Sequence, residues 1–121
     1  MEHPAIVSAC VFLALMMLIS WIGYRFVYKP SRLLRHLIEA RTASCTAPGC
    51  RRPAAQCDQD HTIPYEAGAR TCECTLGPLC RRHHRCKQAR GWTLEQPQPG
   101  IFVWITPARR RYITGPKTYA T

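Results

Sequence analysis

The sequence has few acidic side chains and little length. Aspartate and glutamate number 7 against 17 lysine and arginine residues, in a chain of 121 residues. This length leaves room for one compact domain at most, which excludes two-domain enzymes. The shortage of acidic groups leaves a formal net charge of +10, which favours a polyanionic partner over a neutral substrate.

Charge is absent altogether from residues 5–24, an apolar stretch long enough as a helix to cross about 30 Å of hydrocarbon. Glu2 is the only charged residue before it, whereas four basic residues follow between positions 25 and 35. The positive-inside bias therefore predicts a transmembrane helix within residues 1–28, with its N-terminus outside and residues 29–121 in the cytoplasm. The alternative is a truncated or wrongly started reading frame, which would leave a cytoplasmic domain without a membrane role.

Residues 29–121 carry 16 basic and 6 acidic side chains. A chain of this size buries only about 60–65% of its surface on folding, so we expect an added staple. Cys45 and Cys50 form a C-x4-C pair around a Pro-Gly turn, and Cys80 with His83 forms C-x2-H. These four side chains are ligands of zinc type, and the spacing predicts one structural Zn²⁺ site. The alternative is a secreted basic peptide held by disulfides, which a reducing cytoplasm disfavours.

The remaining cysteines of the domain are expected to act as small buried hydrophobes. They are Cys57, Cys72, Cys74 and Cys86. A second metal site at Cys72 and Cys74 is disfavoured, because a one-residue spacing on a strand directs the two thiols to opposite faces.

The pattern along the chain predicts an α+β domain. Ser31 can cap a short helix with leucines and Ile38 on one face, and short strands and loops follow up to Gly77. Pro78 suits the first turn of a helix over residues 79–90 that ends at Gly91. Three β-rich runs, at 92–95, 101–105 and 111–114, predict a C-terminal antiparallel ribbon.

Two segments carry candidate catalytic residues. Asp60 directly precedes His61 at the end of a predicted strand, and His83 and His84 lie in the basic helix. A carboxylate and two imidazoles can together hold one divalent ion and provide one general base.

With these residues in place, the part of the chain from about residue 28 to 119 resembles the HNH endonuclease domain that ends many bacterial proteins with an uncharacterised helical N-terminal region. The motifs that carry the resemblance are Lys29-Pro30-Ser31, Pro48-Gly49-Cys50, Cys57-x-x-Asp60-His61-x-x-Pro64, Gly77-Pro78-Leu79-Cys80-Arg81-Arg82-His83-His84-Arg85-x-Lys87, Gly91-Trp92 and Glu95-Gln96-Pro97.

The resemblance implies a ββα-metal core and hydrolysis of DNA phosphodiester bonds. It implies that Asp60 and His84 coordinate Mg²⁺ or another divalent cation, and that His61 deprotonates the attacking water. Products with a 5′-phosphate and a 3′-hydroxyl are implied as well. No small-molecule cofactor is expected.

Thr75 departs from the family pattern, which has asparagine at the middle letter of the motif. An asparagine amide both donates and accepts hydrogen bonds and can fix one tautomer of the base, whereas a threonine hydroxyl has a shorter reach. The alternative function is therefore a catalytically inactive, zinc-stabilised module that binds nucleic acid without cutting it.

The predicted basic helix is the expected phosphate contact. Its cationic side chains share a helix with the proposed metal ligand, and no acidic residue lies between positions 78 and 94. The predicted nucleic-acid contacts are Arg81, Arg82, Arg85, Lys87 and Arg90.

Overall fold

The computed structural model describes residues 4–116, apart from the side chains of residues 4, 5, 25–27 and 65. The helices and strands of this range are α1 (Pro4–Val27), α2 (Arg32–Arg41), β1 (Asp58–His61), β2 (Leu76–Leu79), α3 (Arg81–Gln88), β3 (Thr93–Gln98), β4 (Ile101–Ile105) and β5 (Arg111–Thr114). The expected α+β class is confirmed: β1 pairs with β2, and β3, β4 and β5 form a second antiparallel sheet in that order. The division of the chain at residue 28 stays a prediction.

Helix α1 exposes its apolar side chains. Its segment Ile6–Tyr24 has a mean hydropathy of 2.4, and none of it is buried against the rest of the protein. At 1.5 Å per residue this segment is about 28 Å long, close to the thickness of a hydrocarbon layer. The expected apolar helix is confirmed, and a membrane span and a signal sequence both fit it.

Helix α2 begins as predicted, because the Ser31 side chain accepts a hydrogen bond of 3.2 Å from the backbone N–H of Leu34. Its packed face is narrower than the leucine spacing predicts. Ile38 is fully buried, whereas Leu33 and Leu37 are 70% and 52% exposed. The reason is that α2 rests mainly on β2, a strand of only four residues that covers little more than the face around Ile38.

The prediction that Pro78 opens the basic helix is wrong, because Pro78 lies inside β2, opposite Gln59 of β1. Its carbonyl accepts a hydrogen bond of 3.0 Å from the N–H of Thr46. The side of Pro78 that lacks an N–H therefore faces away from β1, and the pairing of the two strands loses no hydrogen bond. The basic helix begins only at Arg81, after Cys80, whose extended backbone forms the N-cap.

The core lies between β2, the loop after α2 that contains Cys45, and the sheet of β3, β4 and β5. Trp104 and Phe102 of β4 and Leu79 of β2 are each 1% exposed, and the Trp104 indole donates to the carbonyl of Thr46 at 3.0 Å. A Cβ added to Gly77 would lie 2.5 Å from the Phe102 ring, so only glycine allows β2 to approach β4 this closely. The predicted C-terminal ribbon is confirmed as the sheet that closes this core.

Helix α3 is shorter than predicted, because it ends at Gln88 rather than Arg90. Gly91 follows with a φ of 83°, a left-handed conformation that suits glycine after a helix. A side chain there would also meet Pro107 of the β4–β5 turn. The predicted C-terminal cap at Gly91 is wrong, because Ala89 is the C-cap of this helix.

Candidate functional site

A zinc-type donor set lies where β2 meets α3. Cys45 and Cys50 come from the loop after α2, Cys80 precedes α3, and His83 lies in the first turn of that helix. Their ligand atoms lie within 4.8 Å of one another. His83 Nδ1 is 3.2 Å from Cys80 Sγ and 3.6 Å from Cys45 Sγ. Tetrahedral zinc separates sulfur and nitrogen ligands by about 3.6 Å, so the four residues can hold a metal ion such as zinc.

The pKa shifts in this cluster have opposing consequences for cation binding. Burial raises the pKa of the Cys45 thiol to about 12. Burial also lowers the pKa of His83, and Arg82 adds to that effect. At Cys80 burial acts to raise the pKa, but hydrogen bonds from the His83 backbone and nearby groups outweigh it and the pKa is lowered. A bound cation would replace the thiol protons, so we expect metal affinity to fall with falling pH.

The remaining cysteines differ from one another. Cys57 is 4% exposed and its thiol donates to the carbonyl of Pro53 at 3.3 Å, so the expectation of a small buried hydrophobe is confirmed. Cys86 is half-buried. For Cys72 and Cys74 the expectation is wrong: they lie in a turn rather than a strand and are joined by a disulfide, with Cys74 exposed. The turn brings their Cα atoms to 5.2 Å, within bridging range.

A second cluster lines a cleft of about 610 Å³ between β1, α3 and the end of α1. His84 of α3 lies between two carboxylates: its Nδ1 is 3.2 Å from Asp58 Oδ2 and its Nε2 is 3.5 Å from Asp60 Oδ1. Asp58 and Asp60 alternate along β1 and so face the same side of the strand. The predicted pair Asp60 and His84 is brought together, and Asp58 is an addition that the sequence reasoning missed.

Lys87 takes part in this cluster. Its ammonium donates to Asp60 Oδ2 and to the carbonyl of His61, and its side chain is 15% exposed. Lys87 was predicted to contact phosphate. In the structure its ammonium is directed at the Asp60 carboxylate rather than outward.

His61 ends β1 and is 5% exposed. Its Nε2 lies 3.2 Å from the hydroxyl of Thr71, and that hydroxyl donates to the carbonyl of Tyr28 at 3.2 Å. With the Thr71 proton directed at the carbonyl, its oxygen can accept from Nε2–H, so the contact is compatible with a neutral ring that carries its proton on Nε2. Burial lowers the pKa of His61, which favours this neutral form.

Aromatic side chains from the end of α1 form one wall of the cleft. The Tyr28 ring is 5.3 Å from the His61 ring and stacks on Tyr24 at 4.8 Å. The apolar N-terminal segment therefore contributes side chains to the cleft, which the division of the sequence at residue 28 did not predict.

Thr75 acts on the backbone of its own loop. Its hydroxyl donates to the carbonyl of Arg70, and its carbonyl accepts from the N–H and the hydroxyl of Thr62 at 2.8 and 3.0 Å. The predicted contact of this position with the base is made at Nε2 by Thr71 instead. The sequence shows a second threonine, Thr71, four residues before Thr75. That hydroxyl could have been identified as a candidate partner of His61.

The outer face of α3 carries the predicted basic surface. Arg81, His84, Arg85 and Gln88 line one depression of about 260 Å³ beside the cleft. Arg82 and Arg90 are exposed on the same segment. No acidic residue lies near these arginines in the sequence, but the fold brings one close from β1. Asp58 Oδ2 lies 3.7 Å from the Arg81 guanidinium.

The chain is similar to uncharacterized proteins of Mycobacterium tuberculosis. It is 39% identical to Rv3776 and 37% identical to Rv2100 over 90 residues, or 74% of this chain, and 35% identical to Rv1128c over 75 residues, or 60% of it. These matches cover 17%, 16% and 16% of the respective relatives, so the chain spans about a sixth of their length. No protein-family model and no solved structure gives a significant match.

Proposed function

We propose that the protein is a metal-dependent endonuclease of HNH type that hydrolyses DNA phosphodiester bonds. The observation that carries the proposal is the arrangement of Asp58, His84 and Asp60 beside a neutral His61, at the edge of a basic helix. In metal sites a ligating imidazole commonly donates its second N–H to a carboxylate. Asp58 is placed to accept that hydrogen from Nδ1, which leaves Nε2 for a metal ion shared with Asp60.

The distance between the two proposed ligand atoms fits this use. Cis ligands of octahedral Mg²⁺ lie about 3 Å apart, and Asp60 Oδ1 and His84 Nε2 are separated by 3.5 Å. A divalent ion bound there would stabilise the charge that develops on the phosphate and on the leaving oxygen. The ammonium of Lys87 holds the other Asp60 oxygen, which leaves Oδ1 as the ligand atom.

His61 supplies the base. In its neutral form Nδ1 accepts a proton from water while Thr71 holds Nε2–H, so the ring keeps one orientation through the transfer. The water oxygen attacks phosphorus and the bond to the 3′ oxygen breaks; the leaving oxygen takes a proton from solvent water, which gives a 5′-phosphate and a 3′-hydroxyl. The arginines of α3 would contact neighbouring phosphates and set the register of the duplex without reading its sequence.

The experiment uses the full chain in detergent micelles, because Tyr24 and Tyr28 belong to the cleft. Nicking of supercoiled plasmid should require added Mg²⁺ or Mn²⁺ and should vanish in His61→Ala, with zinc content unchanged. Gln98→Ala, an exposed change on β3, is the matched control and should nick like the natural chain. Equal nicking by His61→Ala and the natural chain would refute the assignment of the base.

One observation favours the alternative of an inactive nucleic-acid-binding module. The Lys87 ammonium already neutralises Asp60, so no divalent ion is needed there for charge balance. This alternative predicts binding to DNA with a steep salt dependence and no cleavage with any divalent cation. Binding without nicking, under conditions where zinc is retained, would decide for it.

We also infer that α1 anchors the domain with its C-terminal side in the cytoplasm. The exposed apolar surface of Ile6–Tyr24 and the basic residues that follow support this orientation. The full chain should pellet with membranes, resist alkaline extraction and leave residues 29–116 open to cytoplasmic protease. A full-length product that is soluble and folded would refute the anchor, and protection of these residues would refute the orientation.

A further inference from the structure

The disulfide between Cys72 and Cys74 lies in a loop that touches the proposed base. This cysteine loop, residues 70–76, leads into β2. Cys74 is exposed and Cys72 is half-buried, so a small molecule in solution can reach the pair. The disulfide closes a ring over a single intervening residue. The loop therefore carries a covalent constraint that reagents can make and break from outside.

The residues on either side of the disulfide, Thr71 and Thr75, make hydrogen bonds to His61 or to the backbone around it. Thr71, directly before Cys72, contacts His61 Nε2 and the Tyr28 carbonyl. Thr75, directly after Cys74, closes the loop on Arg70, and its carbonyl binds the segment just after His61. A change in the freedom of the pair therefore acts on the hydrogen bond between Thr71 and the proposed base His61.

Cys74 is the most exposed cysteine of residues 29–116. Cys45, Cys57 and Cys80 are each 4% exposed, whereas Cys50 and Cys86 are half-buried, as Cys72 is. An oxidant or reductant would reach Cys74 before it reached Cys45 or Cys80 of the zinc-type cluster. The two sets of cysteines can therefore have separate chemistry in one small domain.

We propose that Cys72 and Cys74 are a reversible redox-modification site, exchanged by low-molecular-weight thiols and disulfides, that sets the order of Thr71 against His61. The consequence for cleavage rests on the proposed nuclease function, whereas the site itself does not. In the cytoplasmic orientation inferred above, a protein disulfide is typical of transient and sensing roles rather than of structural ones.

The exchange is balanced by a disulfide RSSR. The thiolate of Cys74, the more exposed residue, attacks one sulfur, forms a mixed disulfide and releases one RSH after protonation. The thiolate of Cys72 then attacks the Cys74 sulfur and releases the second RSH. Two electrons pass from the cysteines to RSSR, and the two thiol protons leave on the released thiols. Reduction is the reverse reaction.

Reduction opens the ring, and the segment around Thr71 gains conformational freedom. A displacement of about 1 Å at a positioning group can cost about 10²-fold in rate. The Thr75 hydroxyl lies 3.6 Å from the Cys72 sulfur, but the hydrogen bonds from Thr62 to the Thr75 carbonyl involve neither cysteine, so the loop keeps part of its order. We therefore expect about 10-fold slower cleavage in the reduced form.

The first test measures the thiols directly. The full chain in detergent micelles is equilibrated in a series of glutathione and glutathione-disulfide mixtures, and free thiols are alkylated and located by mass spectrometry. Cys72 and Cys74 should change together and reversibly, with zinc content constant and Cys45 and Cys80 unmodified. A pair that stays fully oxidised or fully reduced across the series, or zinc loss before the pair reacts, would overturn the site.

The second test separates the loop from the nuclease. Nitrogen shifts of the His61 ring, recorded by NMR at one pH, should differ between the oxidised and reduced chains. The double variant Cys72→Ser, Cys74→Ser should keep the reduced-state shifts in every buffer, whereas the control Cys10→Ser, Cys86→Ser should respond like the natural chain. Identical His61 shifts in both states would overturn the coupling. Absence of cleavage from all samples would overturn the nuclease alone.

Discussion

The zinc-type cluster and the cleft are built in opposite ways. The cluster buries Cys45 and Cys80 beside Trp104, in the core between the two sheets. The cleft region keeps the pair of Asp58 and His84 nearer to solvent, with side chains 51% and 24% exposed, whereas Asp60 and Lys87 are 13% and 15% exposed. An ion pair as exposed as that of Asp58 contributes little to stability, whereas a structural zinc ion contributes folding free energy directly. The comparison implies that a substitution at one site should affect folding, whereas a substitution at the other should affect the proposed cleavage.

Loss of a zinc ligand should have the largest effect. Binding of zinc to small domains contributes on the order of 10–16 kcal/mol, as much as the whole stability of a typical domain. Cys80→Ser should therefore lose its zinc and leave residues 29–116 largely unfolded, whereas Cys57→Ser, buried nearby but outside the donor set, should retain zinc and fold. Metal analysis with circular dichroism checks this. A folded Cys80→Ser chain at natural stability would contradict a structural metal.

Removal of the proposed base should reduce cleavage strongly without affecting folding. If His61 is the general base, a role that contributes about 10²- to 10⁴-fold, His61→Ala loses that factor and leaves the four zinc-type donors intact. In the natural chain, burial lowers the pKa of His61 below 6.5. Cleavage should fall on acidification only below pH 6.5, because protonation of the base removes activity at low pH and deprotonation restores it. A fall centred above pH 7 would contradict this role.

The two sites also differ in how much of them the sequence could predict. C-x4-C and C-x2-H are local spacings, and each brings its donors together through one turn or one helix end, so all four ligands were predicted. The cleft is closed by packing between distant segments: Tyr28 lines it, and Asp58 and Thr71 contact its residues His84 and His61. The alternation of Asp58 with Asp60 and the threonine four residues before Thr75 are visible in the sequence, but the contacts that they make form only on folding.

The fold shows the same limit at Pro78 and at Lys87. Pro78 has the local signature of a helix start. The position is extended instead, because β2 packs against Phe102 and the Pro78 carbonyl accepts a hydrogen bond from the N–H of Thr46. Lys87 lies in a basic run and was predicted to contact phosphate, but a carboxylate 27 residues away pairs with it. At Pro78 a tertiary contact overrides the local preference, and at Lys87 a tertiary contact engages the ammonium that was predicted to bind phosphate.

Asp58 tests whether the cleft is a metal site at all. If Asp58 orients His84 as a ligand, Asp58→Asn should weaken the binding of the catalytic ion by about 10- to 100-fold and leave zinc in place. Glu95→Gln on the exposed side of β3 is the matched control and should change neither. Titration of nicking against Mn²⁺ concentration measures the shift. Equal Mn²⁺ dependence in the two variants would contradict the role of Asp58.

Arg85 tests the basic face with a smaller expected effect. Its side chain is exposed beside His84, and loss of one phosphate contact should weaken DNA binding evenly across sequences. The slope of log affinity against log salt should become shallower by about 1 in Arg85→Ala. Arg32→Ala, exposed on α2, is the control of equal charge change. An identical shift in both variants would indicate a general charge effect rather than a contact of α3.

Substitution of Thr75 should have the smallest effect on cleavage. The family pattern leads to the expectation that Thr75→Asn restores an orienting contact and raises cleavage. In this structure the Thr75 hydroxyl already binds the Arg70 carbonyl, and the contact with His61 Nε2 is made by Thr71. Thr75→Asn should therefore change the rate by less than about threefold, whereas Thr71→Val, which deletes the contacting hydroxyl, should lose more, because misplacement of the base itself reduces the rate. Single-turnover cleavage by the two variants measures the difference, and a large gain in Thr75→Asn with no loss in Thr71→Val would return the orienting role to residue 75.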